Sequence, residues 1–155
     1  MRSLALVVAG ACVVVLFAGC SGGSNFVKPP AGAEVGVWNL KADFTAGTGA
    51  GATTYVAVSG TNRSHIEFDA PVGGAPAVAT GTMYTSGSAT PVVASGTYAR
   101  NGSKVTMTVD WGGGRSVQVT FFFTSATTMT ASWKEYLNGV LNASGSAQFV
   151  LAPPV

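Results

Sequence analysis

After about residue 34, apolar and polar residues alternate along most of the chain. A period of two places successive side chains on opposite faces of a β-strand, so it predicts strands with one face in a hydrophobic interior and the other in water. Weaker runs of this kind cover residues 53–59, 78–85 and 94–99, and no stretch has a convincing helical period. The apolar members of the clear runs are Trp38, Leu40, Ala42, Phe44, Ile66, Phe68, Val105, Met107, Val109, Trp111, Val117, Val119, Phe121, Phe123, Met129, Ala131, Trp133, Ala147, Phe149 and Leu151.

Glycine and asparagine mark the turns between these strands. Asn101-Gly102 and Asn138-Gly139 precede apolar runs, and glycine-rich turns at 60–62 and 112–114 separate other runs. Asn-Gly favours a two-residue hairpin because a type I′ turn needs positive φ at both central residues. About eight to nine short strands at this spacing predict an all-β fold, an antiparallel up-and-down meander. A closed barrel is favoured over the alternative, a β-sandwich, because closure removes the edges of a sheet that carries few charges.

The first twenty residues predict an export signal. Arg2 and the amino terminus are positive, residues 4–18 are apolar, and small residues precede Cys20. This order is typical of a secretory signal peptide, and the apolar run is short for a membrane span, which needs about 20 residues. A plain cleaved signal peptide or an uncleaved anchor helix would be alternatives.

The run Leu16-Phe17-Ala18-Gly19-Cys20 resembles the lipobox of bacterial lipoproteins. The resemblance implies a signal peptide over residues 1–19, lipid on the sulfur of Cys20, and acylation of its new amine by chains such as palmitate. It also implies localisation in the bacterial cell envelope, held to a membrane by the N-terminal lipid. Ser21, directly after the cysteine, resembles the residue with which some Gram-negative bacteria sort lipoproteins to the outer membrane.

The remaining chain divides into three parts. Residues 20–33 are predicted to be the lipidated cysteine and a flexible tether, residues 34–151 the β-barrel domain, and residues 152–155 a C-terminal tail. Cys12 leaves with the signal peptide and Cys20 carries the lipid, so no thiol is left for a disulfide. The domain must therefore be stabilised by apolar burial.

Within the domain, Gly36-Val37-Trp38 is similar to the Gly-x-Trp that opens the first strand of lipocalin-like and avidin-like barrels. The run from Gly96 to Trp111, followed by two more alternating strands, resembles the second half of small lipocalin-like domains in bacterial lipoproteins. The resemblance implies a closed barrel around a core or a pocket, with Trp38 plugging one end. It implies no catalytic residue and no cofactor.

Composition narrows the possible functions. The 155 residues are 47% hydrophobic and 9% charged, with a net charge of +2. Disorder requires low hydrophobicity and high charge, so the domain is expected to fold. Eight basic residues spread along the chain form no patch for nucleic acid, which is therefore not expected as a partner.

Candidate catalytic and metal-ligating residues are few. His65, Glu67 and Asp69 share one strand face, but ligands about 7 Å apart along a strand do not converge on one ion, so a solvated polar face is the preferred interpretation. The single histidine and the lack of a Gly-x-Ser-x-Gly motif argue against a hydrolase triad. Glu135 shares the inward parity of Trp133 but ends its run, where it would reach water. The glycine-rich run at residues 47–51 precedes no predicted helix and is interpreted as a loop, not a phosphate site. We therefore expect no enzymatic activity and no metal.

The most distinctive feature of the sequence is the set of aromatic residues predicted to face inward, and it suggests two functions. If the barrel is hollow, they would line a site for a small apolar or amphipathic ligand, and a cavity of roughly 300 Å³ or more would support this. If the interior is solid, the domain would be a structural or protein-interaction module for envelope proteins. The ligand-binding candidates are Trp38, Tyr98, Trp111, Phe121, Phe123, Trp133 and Phe149.

Overall fold

A computed structural model describes residue 26, residues 28–46 and residues 52–153, without the side chain of Trp111. These residues contain strands and turns, and among them no helix is long and apolar enough to cross a membrane. The strands of the described residues are β1 (Gly36–Leu40), β2 (Phe44–Ala46), β3 (Thr53–Val56), β4 (Val58–Ser59), β5 (Asn62–Arg63), β6 (His65–Phe68), β7 (Ala77–Thr85), β8 (Val92–Asn101), β9 (Lys104–Gly112), β10 (Arg115–Ser125), β11 (Thr128–Leu137) and β12 (Val140–Leu151).

Eight of these strands close into an antiparallel barrel. From β6 to β12 each strand pairs with the next along the chain, and β1 joins β12 to β6 and closes the ring. The up-and-down meander is confirmed, and the ring is a barrel and not a sandwich. Closure leaves the strands from β6 to β12 paired on both sides, which protects a sheet of such low charge from edge-to-edge association.

Two positions in the wall are filled by interrupted strands. Strands β3 and β6 both pair with β7. Strand β3 pairs with Tyr84 and Thr85 at the end of β7, and β6 pairs with residues 79–82 in the part of β7 before them. The predicted strands 53–59 and 65–69 therefore continue one another along the wall, and the small hairpin β4–β5 interrupts them. A similar break separates β1 from β2, and Ala42, expected to face inward, lies exposed within it.

Ser64 supplies side-chain hydrogen bonds at the point where the β4–β5 hairpin interrupts the barrel wall. Its side chain is completely buried, and its hydroxyl donates to the carbonyl of Val56 at 2.6 Å. The same hydroxyl accepts from the backbone N–H of Tyr84 at 2.8 Å. A side chain thus satisfies a backbone donor that a continuous strand would otherwise pair, which matters because an unpaired buried donor is costly.

The turns follow the glycine and asparagine positions. At the tip of β11–β12, Asn138 and Gly139 have φ of 52° and 78°, the two positive values of a type I′ turn. The β8–β9 hairpin is also formed, but Asn101 pairs with Lys104, so the turn residues are Gly102 and Ser103. Only Gly102 has positive φ, 64°, which is the pattern of a type II′ turn.

Alternation along β9, β10 and β11 is confirmed by burial. Val105, Phe121 and Phe123 are completely buried, whereas Thr108, Gln118 and Thr124 on the opposite face are exposed. Edge-to-face contacts connect Phe121 to Phe68 and Phe149, with ring centroids 5.2 and 5.8 Å apart. Full burial of each such side chain contributes roughly 1.5–3 kcal/mol, which is the main source of stability in a domain without disulfides.

Candidate ligand cavity and the closed end of the barrel

One end of the barrel, hereafter the closed end, is filled by Trp38. Its indole is completely buried and its Nε1–H donates to the carbonyl of Glu34 at 2.7 Å. The ring meets Phe123 edge to face, with centroids 5.7 Å apart. The aromatic rings and the segment that crosses over them leave the closed end solid, in keeping with the plugging role that the resemblance implied for Trp38.

Arg100 holds the N-terminal segment against the closed end. Its Nη1 lies 2.5 Å from Glu34 Oε2 and donates to the carbonyl of Pro30 at 2.6 Å, while Nη2 donates to the carbonyl of Pro29 at 2.5 Å. The guanidinium carbon lies 5.4 Å from the centre of the Phe123 ring, over its face. The side chains of Arg100 and Glu34 are 14% and 8% exposed, so the pair is nearly buried and its charges are offset by these bonds. These contacts are called the arginine clasp below.

The opposite half of the barrel contains a cavity of about 140 Å³. Its walls are almost entirely apolar, and several of the residues that line it are small, including Gly81, Ala94, Ala131 and Ala147. Larger aliphatic side chains such as Met107 and Val119 complete the walls, and Phe149 also lines them. The space exists because small residues occupy the inward positions that aromatic residues occupy near the closed end.

Polar groups gather at the mouth, the end of the cavity away from Trp38. Arg115 opens β10, and its Nε lies 2.6 Å from Glu135 Oε1 on β11. Asn142 on β12 approaches the same oxygen at 3.4 Å. The Glu135 side chain is 13% exposed, so the sequence correctly indicated its inward parity but not its degree of burial at a strand end.

Tyr55 adds a phenol to the mouth from β3. Burial raises the pKa of Tyr55 above its ordinary value, the Arg115 guanidinium lowers it, and the Glu135 carboxylate raises it. The phenol, the guanidinium and the carboxylate all line the same cavity. The mouth can therefore accept and donate hydrogen bonds next to an apolar interior.

An aromatic cluster forms the rim between the mouth and the interior. Phe44 stacks on Tyr55 with ring centroids 5.1 Å apart and is 6.2 Å from Trp133. The indole Nε1–H of Trp133 is buried and has no hydrogen-bond partner among the residues that the structure describes. An unpaired buried donor is costly, so a group that accepted its hydrogen bond here would be stabilising.

The structure separates the predicted ligand-binding residues into two groups. Trp133 and Phe149 line the cavity. Trp38, Phe121 and Phe123 pack in the solid part, and Tyr98 donates its hydroxyl to the carbonyl of Asp69 at 2.7 Å there. Burial, then Glu34 and then Asp69 raise the pKa of Tyr98. The side chain of Trp111 and the predicted lipidation site Cys20 lie outside the described part of the chain.

Sequence reasoning missed Tyr55 and Arg115. Arg115 has the same odd parity as Val117 and Val119, which was a usable signal, although its charge argues against an inward position. Tyr55 lies in a weakly patterned segment, where the inward face cannot be read from alternation.

The remaining candidate residues form no further site in the described chain. His65 Nδ1 lies 3.0 Å from the carbonyl of Arg63 in an exposed contact. Among the described residues, no group of three or more His, Cys, Asp or Glu side chains could hold a metal ion. The glycine-rich run at residues 47–51 lies outside the described ranges.

A scan against models of protein families finds no match to this chain, and a search of curated proteins finds none either.

Proposed function

We propose that this protein is a non-enzymatic lipoprotein of the bacterial cell envelope whose barrel binds a small apolar or amphipathic ligand. The observation that carries the ligand proposal is the apolar cavity with the Tyr55, Arg115 and Glu135 cluster at its mouth. Ligand sites in proteins generally combine apolar walls with a few placed polar groups. This arrangement suits a molecule with an apolar part inside and a polar part at the mouth.

The size of the cavity limits the apolar part of the ligand. About 140 Å³ is less than the roughly 300 Å³ that a whole drug-sized ligand requires. A dry apolar cavity of about 150 Å³ holds a molecule the size of benzene. The ligand therefore inserts one ring or a short hydrocarbon segment, and the rest of the molecule lies at or beyond the mouth.

Two experiments test ligand binding. The first is mass spectrometry of the protein extracted natively from its membrane, which would detect a retained small molecule. The second is titration with the fluorescent probe N-phenyl-1-naphthylamine. Ala94→Leu adds a side chain to the cavity wall and is expected to weaken probe binding at least tenfold. Ala99→Leu is the matched control, because Ala99 lies on the exposed face of the same strand, and it should bind the probe like the natural protein.

Equal probe affinity in the natural protein and the Ala94→Leu variant, with no retained molecule, would favour the second candidate function. That candidate is a structural or interaction module of the envelope. Its supporting observation is a group of exposed aliphatic side chains on one hairpin, Leu137, Val140 and Leu141. These residues would be the first to examine for contacts with an envelope protein.

The membrane attachment rests on the lipobox-like run that ends at Cys20. Stable anchoring takes two or more acyl chains, which a lipidated and acylated cysteine supplies. Cys20→Ala is expected to move the protein from the membrane fraction to the soluble fraction. Cys12→Ala is the control, because Cys12 would leave with the signal peptide and its loss should change nothing. Tight membrane association of the Cys20→Ala protein would refute the anchor.

A further inference from the structure

After Asp69, the loop between β6 and β7 continues with seven consecutive uncharged residues. Residues 70–76, Ala-Pro-Val-Gly-Gly-Ala-Pro, are all exposed, and Val72 is 77% exposed. The base of the loop is fixed, because Asp69 N–H donates to the carbonyl of Val78 at 2.9 Å. Because its base is fixed, the loop can present its apolar tip to a partner without rearranging. We call residues 70–76 the apolar loop.

The apolar loop lies at the closed end. Phe68, the last residue of β6, pairs with Gly36, the first residue of β1, so the loop begins beside the segment that the arginine clasp holds. Upstream of that segment, Phe26 stacks on Phe122 on the outer wall, with ring centroids 4.7 Å apart. The N-terminal chain is therefore attached to the barrel at two places, both in the half that contains Trp38.

We propose that the apolar loop is the surface on which the anchored barrel rests against the lipid bilayer, so that the cavity mouth faces away from that membrane. The proposal builds on the lipid anchor at Cys20. It identifies the partner of the apolar loop as a lipid surface, and it makes the ligand one that arrives from the side opposite the anchor.

The reach of the tether supports this orientation. Five residues lie between Cys20 and Phe26, and the six steps from one residue to the next, at most about 3.5 Å each, span roughly 20 Å. Thr130 lies opposite Phe122, and the seven residue-to-residue steps along β11 from Thr130 to Leu137 are roughly 23 Å of strand, or about 18 Å of wall height at a tilt near 40°. The mouth could meet the membrane only with the tether pulled straight along the wall, whereas the closed end meets it with slack to spare.

The charges at the closed end agree with a lipid surface. Lys28 and Lys104 are exposed there, and both would be attracted to anionic headgroups. Asp69 is exposed at the base of the loop and opposes them, so hydrophobic contact and the anchor must provide most of the interaction. The aliphatic group at Leu137, Val140 and Leu141 is the competing surface, but it lies at the mouth.

Site-specific labelling can distinguish the two ends. The mature lipidated chain has no free thiol, so Val72→Cys and Val140→Cys each introduce a single labelling site. The two positions are matched, since Val72 is 77% and Val140 71% exposed. Each full-length lipidated variant is labelled with a polarity-sensitive nitrobenzoxadiazole dye and reconstituted into vesicles of phosphatidylcholine and phosphatidylglycerol, with and without nitroxide-labelled lipid.

We expect the dye at position 72 to shift to shorter emission wavelength and to lose at least half of its fluorescence to nitroxide lipid, and the dye at position 140 to do neither. An unquenched dye at position 72 in vesicle-bound protein overturns the orientation and leaves the anchor intact. Quenching at position 140 instead shows that the mouth faces the membrane. Failure of the unlabelled lipidated protein to bind vesicles overturns the anchor as well.

Discussion

The indole of Trp133 lies across Gly145, the residue directly opposite it on β12. A β-carbon placed on Gly145 would lie 2.6 Å from Cζ2 and 2.9 Å from Cε2 of the indole. Gly145 is therefore needed for space, because only a residue without a side chain lets the ring lie flat against β12. The same ring forms part of the cavity wall, so the packing of Gly145 and the shape of the cavity are connected.

We predict that Gly145→Ala displaces the indole. Overpacking of this kind typically costs about 1–3 kcal/mol, and a ring moved into the cavity should also weaken binding of an apolar probe. Urea denaturation and probe titration measure the two effects. Ser144→Ala, at the exposed position next to it, should change stability by less than about 0.5 kcal/mol. Equal effects of the two substitutions would show that Trp133 does not pack on Gly145.

The arginine clasp gives a second prediction. Arg100→Met removes the donor to Glu34, Pro29 and Pro30 and leaves a nearly buried carboxylate without its partner. Breaking a buried pair in this way costs about 3–5 kcal/mol, because the remaining charge is desolvated. Arg63→Met, at an exposed arginine, is the control and should be nearly neutral.

A second substitution separates charge from packing at the clasp. Adding Glu34→Gln to Arg100→Met removes the uncompensated charge and should restore part of the lost stability. Hydrogen exchange of the backbone amides at Ala33 and Val35 should become faster in Arg100→Met, since the carbonyls of Pro29 and Pro30 are no longer held. Unchanged stability and unchanged exchange would refute the structural role of the clasp.

Alternation of apolar and polar residues predicted most of the barrel because each wall strand has one dry and one wet face. Val105 and Phe121 are buried where the pattern placed them, and the Asn138-Gly139 turn has the expected geometry. The two breaks in the wall were not predicted. Asp43 accepts the backbone N–H of Ala57 at 2.7 Å, a contact between separate segments that has no local periodic signal.

The cavity also could not be predicted from the alternation of apolar and polar residues. Ala94, Ala131 and Ala147 have the same inward orientation as the large aromatic residues, and alternation treats them alike. Whether a barrel is hollow depends on the summed volume of side chains at each level along its axis, which requires the register between strands. That register brings these small residues together around the cavity, between the aromatic rim and the rings that pack near Trp38.

Ser64 gives the third prediction. Ser64→Ala leaves the carbonyl of Val56 without the hydroxyl and the N–H of Tyr84 without its acceptor, inside the barrel wall. The expected loss is about 1–3 kcal/mol, the usual cost of an unsatisfied buried group. Ser95→Ala removes a hydroxyl from an exposed pair with Thr80 and should have little effect. Equal stability of both variants in thermal denaturation would show that the interrupted strand does not depend on Ser64.

The fourth prediction concerns alkaline pH and Tyr55. Burial, offset in part by Arg115 and reinforced by Glu135, raises the folded-state pKa of Tyr55, while the unfolded chain ionises near the ordinary value of about 10. Below that pH both states keep the proton and the stabilisation is complete; above it the unfolded state ionises first, so stability falls as pH rises toward the folded pKa. Tyr55→Phe should reduce this fall in urea denaturation above pH 10, by direct comparison with the natural protein. Because burial also raises the pKa of Tyr98, the double variant with Tyr98→Phe should reduce it further, and identical alkaline profiles in all three proteins would exclude a protected phenol at the mouth.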